Sequence, residues 1–139
     1  MRFRVVIASV VVLQALILVS AQGKTTLDGA YSEAQATRGE KVYATSCVSC
    51  HGDDLSGGGQ TPPLAGKEFN SDWNDLSMGD LYDRTHLSMP ADKPGSLTPE
   101  QTVDVIAFLL KKGSFPAGQA DLPTDTAALK QMKFVSPKP

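Results

Sequence analysis

Residues 47–51 read Cys-Val-Ser-Cys-His, two thiols three positions apart with an imidazole on the next residue. In such a C-x-x-C-H pentapeptide each thiol can form a thioether to one vinyl group of a porphyrin, while the histidine offers a ring nitrogen to the iron. Five residues then hold both the ring and the metal. The same residues have other uses. A C-x-x-C thiol redox pair wants a strand feeding a helix, and nothing upstream of Cys47 reads as that strand. Half a zinc site would need partners, but the chain has only two cysteines and two histidines, and His86 lies outside ordinary finger spacing. A structural disulfide between Cys47 and Cys50 gives His51 no task. The pentapeptide therefore predicts one covalent haem c, held through Cys47 and Cys50 with His51 on the iron.

A single histidine leaves one axial position of the iron to fill. A soft thioether there favours the ferrous form and keeps the metal six-coordinate in both oxidation states, which suits electron transfer because little has to move. Of the four methionines, Met1 lies at the amino terminus, Met132 in the tail and Met78 at the start of an expected helix. Met89 is the best placed, in Leu87-Ser88-Met89-Pro90, where the proline stops the helix and fixes the backbone beside the sulfur. Metal ligation is accordingly assigned to His51 and Met89. His86, three residues earlier, is the rival ligand, although a histidine on a short surface helix is usually just solvated. Met78 and an open site are the remaining alternatives.

These groups need a scaffold. Tyr31 to Tyr43 is rich in helix formers, with Ala36, Gly39 and Tyr43 on one face. A glycine inside a helix costs up to about 1 kcal/mol against alanine, so Gly39 either admits a second backbone or marks a helix end. Near the other end, Thr98-Pro99-Glu100-Gln101 reads as N-cap, first-turn proline and capping box. Val103, Ile106, Ala107 and Leu110 follow at helical spacing, and Lys111, Lys112 and Gly113 close the helix. These first and last helices are expected to cross with Phe108 near Gly39. Ser77 and Asp80 cap a short helix running to about Leu87, with Leu81 and Tyr82 turned inward. Ser56-Gly57-Gly58-Gly59 reads as a flexible loop and Thr61-Pro62-Pro63-Leu64 as a stiff one, and no segment reads as a paired strand.

The amino terminus is consistent with a haem attached outside the cytoplasm. Arg2 and Arg4 precede an apolar run from Val5 to Val19, and Val19-Ser20-Ala21 supplies a small-residue cleavage site. The run is shorter than the ~20 residues that a membrane-spanning helix needs, so a signal peptide over 1–21 is favoured over a retained anchor, and no stable membrane insertion is expected after cleavage. In bacteria covalent haem attachment takes place outside the cytoplasmic membrane, so a periplasmic or otherwise exported protein is expected. Cleavage would remove two of the 13 basic residues and none of the 15 acidic ones, taking the formal charge from −2 to −4. Such a surface repels nucleic acid and favours a partner with a basic docking patch.

In their order, Gly39 and Tyr43, then Cys47-Val48-Ser49-Cys50-His51-Gly52, Pro62, Leu64, Ser88-Met89-Pro90 and Ala107-Phe108-Leu109, the chain resembles class I c-type cytochromes. These are soluble monohaem electron carriers and related domains that serve quinoprotein dehydrogenases. The resemblance implies an all-α cytochrome c fold of three to five helices wrapped around one covalently attached haem. It divides the chain into a signal peptide (1–21), a linker (22–30), a cytochrome c domain (31–113) and a C-terminal extension (114–139). The extension carries a short helix from Thr124 to Met132 and either packs on the domain as a belt or docks a partner.

Further roles follow from the same likeness. The carbonyl of Pro62 would accept from the second nitrogen of His51, with Pro63 making the register ambiguous. Leu64 would pack on the haem face. Trp73 would donate its indole N–H to a buried propionate, or serve as an ordinary core anchor. The implied function is periplasmic carriage of one electron between redox proteins, with a quinoprotein dehydrogenase as donor and an oxidase or another cytochrome as acceptor. An enzyme such as a small peroxidase would need an open distal site, against Met89; a disulfide or zinc binding module would leave His51 unused.

Overall fold

A computed structural model describes residues 24–138, and the expected signal segment lies outside them. Among the described residues a 3-10 turn (Thr26–Asp28) leads into six α-helices: α1 (Glu33–Ser46), α2 (Val48–His51), α3 (Gly66–Trp73), α4 (Met78–Ser88), α5 (Pro99–Lys112) and α6 (Thr126–Gln131). This exceeds the expected three to five, because α2 is a single turn and α6 belongs to the C-terminal extension. Among the described residues no strand forms, only isolated bridges.

Local chemistry sets the helix ends. The Ser32 side chain accepts from the Gln35 N–H at the start of α1, so the helix begins two residues later than the sequence suggests. Capping boxes open α4 (Ser77 with Asp80) and α5 (Thr98 with Gln101), as the sequence indicates. Helix α5 is buried over nine consecutive residues, Thr102 to Leu110, and supplies the centre of the core.

Helices α1 and α5 cross at Gly39. A methyl group at that position would lie 1.8 Å from the Asp104 carbonyl oxygen and 3.0 Å from Phe108 Cβ, so only glycine lets the two backbones meet. One turn along, Tyr43 and Phe108 pack with ring centroids 5.2 Å apart. At the outer edge of the crossing Arg38 forks onto both Asp104 carboxylate oxygens at 3.0 Å and reaches Asp121 at 2.7 Å. The crossing thus fixes where the last turn of α1 delivers Cys47.

Residues 114–138 run back over this core, burying Phe115, Leu122, Leu129, Met132 and Phe134. The Phe134 ring packs edge-on against Phe69 and Phe115. Its backbone accepts from Asp75 and donates to Leu76, while the Met78 N–H donates 2.8 Å to the Met132 carbonyl at the start of α4. Residues 24–30, read as a linker, are not free: Thr26 is fully buried and exchanges 2.8 Å hydrogen bonds with the backbone of Val135. Periodicity within a segment carries no sign of such a pairing between the two ends of the chain.

Candidate haem site

The pentapeptide lies where α1 ends. Cys47 caps α1, its N–H bonded 2.9 Å to the Tyr43 carbonyl, and its own carbonyl accepts from the His51 N–H at 3.0 Å to close the single turn of α2. Positions 47, 50 and 51 therefore stand in i, i+3, i+4 relation and share one face. Gly52, at φ +77, ends the turn, and its carbonyl accepts from the Tyr43 hydroxyl at 2.6 Å, which ties the motif back to the α1–α5 contact.

Both cysteines are free thiols, Cys50 exposed and Cys47 half-buried. Burial pushes the Cys47 thiol up to about 11, with neighbouring Cys50 adding to the effect. This is the opposite direction from the depressed thiol that a disulfide oxidoreductase uses. Among the described residues no group of three or more His, Cys, Asp and Glu side chains is placed to hold a metal.

His51 is buried, 7% exposed, and its Nδ1 lies 3.0 Å from the Pro62 carbonyl oxygen. A carbonyl can only accept, so Nδ1 carries the proton and the lone pair sits on Nε2, the form in which imidazole binds a metal. The register left open between the two prolines is Pro62. The loop that delivers it is tied down by backbone hydrogen bonds. Gly57 donates to the His51 carbonyl at 2.9 Å, Gly58 and Thr61 exchange hydrogen bonds, and Leu64 donates to Leu55 at 2.8 Å. Gly57 sits at φ +66 with no room for a side chain, since a Cβ would lie 2.3 Å from the Thr61 carbonyl oxygen. That glycine permits the tight return that sets Pro62 over His51.

The remaining residues fall into two groups. Leu64 is half-buried and packs on the core beside Leu55, a buried residue that the sequence reading did not single out. Trp73 ends α3, half-buried against Phe69 with centroids 6.2 Å apart, and no described side chain or carbonyl accepts from its indole N–H. Met89 is the C-cap of α4, in extended backbone (φ −119, ψ 150), with Pro90 after it. Met78 and Met132 are buried in the core; Met89 is only half-buried and belongs neither to the core nor to the side chains packed on it. His86 is not simply solvated, because it stacks on Tyr82 and bonds to Thr102. The donor set, two free thiols, one unprotonated imidazole nitrogen and one thioether outside the core, fits a haem c.

An all-helical shell built by crossing its first and last long helices above a C-x-x-C-H turn is that of a class I c-type cytochrome. The family described as "Cytochrome C oxidase, cbb3-type, subunit III" matches residues 34–109, more than half the chain, and the chain belongs to this cytochrome c family. Over 37 residues it is 49% identical to Cytochrome c-551 of Bacillus subtilis (strain 168), covering 27% of this chain and 33% of that protein. Over 78 residues it is 36% identical to Thiosulfate dehydrogenase of Stutzerimonas stutzeri (strain A1501), covering 52% of this chain and 25% of that protein. Among solved structures, the Sulfane Dehydrogenase SoxCD from Paracoccus pantotrophus matches with a TM-score of 0.51 and 25% identity over 70% of this chain and 52% of that one. The chain thus spans between a quarter and about half of the length of the proteins it matches. Cytochromes of this family carry electrons on covalently bound haem c, and the dehydrogenase names belong to larger proteins.

Proposed function

We propose that the chain is an exported electron-transfer protein carrying one electron on a single haem c bound through Cys47 and Cys50, with His51 and Met89 as axial ligands. The observation that carries this reading is the buried His51, tethered by Nδ1 to the Pro62 carbonyl, one residue from a free thiol and four from another. When bound, the group supplies a reversible one-electron iron couple. The protein's share is ligation, orientation and exclusion of water. Pro62 fixes the imidazole plane. Tyr43, Phe108 and Gly39 hold the turn that carries the thiols, while α4 presents the Met89 sulfur. Leu64 and Trp73 are assigned to the wall of the pocket, with Trp73 offering its indole N–H to a propionate.

Export rests on residues 1–21, and among the described residues no helix is long and apolar enough to cross a membrane. The two larger relatives are named Thiosulfate dehydrogenase and Sulfane Dehydrogenase SoxCD, which supports a dehydrogenase as electron donor. The quinoprotein dehydrogenase expected from the resemblance is one member of that class; an oxidase or another cytochrome is the acceptor. A surface with more carboxylates than cations suits a donor with a basic docking patch.

A redox titration of the mature protein, followed by visible absorbance, tests the reading. One reversible transition with a slope of about 59 mV per decade is expected for a one-electron couple. An absent transition, or two separable ones, would contradict a single-haem carrier.

A further inference from the structure

Helix α4 ends on Met89, and its last turn is tied to α5 by one polar contact. His86 Nδ1 lies 3.1 Å from the Thr102 hydroxyl oxygen, and among the described residues this is the only side-chain hydrogen bond between the two helices. That hydroxyl has one proton, which it donates 2.8 Å to the Thr98 carbonyl, one turn back in α5. Thr102 must therefore accept from His86. In the neutral imidazole the proton then sits on Nδ1 and the lone pair on Nε2.

The surroundings hold the ring in that pose. Tyr82, one turn before it, stacks on the imidazole at 5.3 Å between centroids and 22° between planes. Thr102 is fully buried and Tyr82 is 4% exposed, while His86 is half-buried. The Met89 N–H donates 3.1 Å to the Thr85 carbonyl. The turn that carries His86 and the residue that offers the sulfur are thus one hydrogen-bonded unit.

Resting on the reading of Met89 as an iron ligand, we propose that the His86–Thr102 hydrogen bond is a latch that positions Met89. It holds the last turn of α4, and with it the sulfur, against α5. It also keeps His86 off the iron by turning its ring onto Tyr82, although Nε2 has the lone pair a ligand needs. His86 is a positioning residue whose release would make it a competitor.

The test uses ferric holoprotein and three variants of the latch, with Met89→Ala as the control for the ligand. Thr102→Val keeps the buried shape and removes the acceptor; Thr102→Ser keeps the hydroxyl; Thr102→Val combined with His86→Phe also removes the competitor. The readouts are the weak far-red ferric band that reports sulfur on iron and the rate of cyanide binding, which requires methionine to leave. Thr102→Val is expected to bind cyanide about three- to tenfold faster, the loosening that loss of one hydrogen bond gives, and to lose part of the far-red band. Thr102→Ser should match the wild type, and His86→Phe added to Thr102→Val should restore the band while cyanide entry stays fast. A Thr102→Val protein identical to the wild type in both readouts overturns the latch. If Met89→Ala abolishes the far-red band in that case, the ligand assignment stands without the latch; if Met89→Ala keeps the band, the ligand assignment itself has failed.

Discussion

The Met89→Ala holoprotein is expected to lose the far-red ferric band, to bind carbon monoxide readily once reduced, and to fall in reduction potential. Removing the thioether opens one coordination position and withdraws the soft donor that favours ferrous iron. Axial ligands set haem potentials over ~0.8 V, so a drop on the order of 100 mV is the expected scale. The choice of Met89 rests on what the other methionines do. Met78 is fully buried, its N–H bonded to the Met132 carbonyl, and Met132 is itself a buried residue of the C-terminal extension. Either could reach a metal only by leaving the core, a loss of about 2–5 kcal/mol for a side chain of this size. Of the three methionines among the described residues, Met89 alone is outside the core and half-buried. An optical spectrum of the variant in both oxidation states settles the matter: a persisting far-red band would transfer the role to another sulfur.

Gly39→Ala is expected to destabilise the protein by about 3 kcal/mol, measured by urea unfolding of the holoprotein. The sign separates two readings of this glycine. If Gly39 merely relaxed an exposed helix, alanine would gain about 1 kcal/mol through helix propensity. At the crossing, the added methyl would sit 1.8 Å from the Asp104 carbonyl oxygen, so α1 and α5 must part by more than an ångström. Parting them shifts the Tyr43–Phe108 contact and, through the Tyr43 hydroxyl on the Gly52 carbonyl, the turn that carries the thiols. A loss of stability accompanied by a weaker far-red band would connect the packing to the site.

Much of this scaffold is legible in the residues because its signals are local. The capping boxes at Ser77 and Thr98, the C-x-x-C-H pentapeptide and the small residue facing Phe108 each declare themselves within a few positions. Helix α3 is silent for the same reason: its N-cap, Ala65, makes no side-chain hydrogen bond and only Phe69 is buried along its eight residues. The glycine-rich stretch after the pentapeptide reads as flexible, yet the conformation of Gly57 is dictated by Thr61 and Pro62, which fold back over it. His86 finds its partner 16 residues away, and Thr26 finds Val135 at a separation of 109. Contacts of that reach leave no periodic trace.

The most direct measurement is the intact mass of the mature protein isolated from a host able to attach haem. The expected species is the polypeptide beginning at Gln22 plus one haem, an addition that survives denaturation and disappears when Cys47 and Cys50 are both replaced by alanine. A denatured mass equal to the bare polypeptide would contradict covalent attachment at these two thiols.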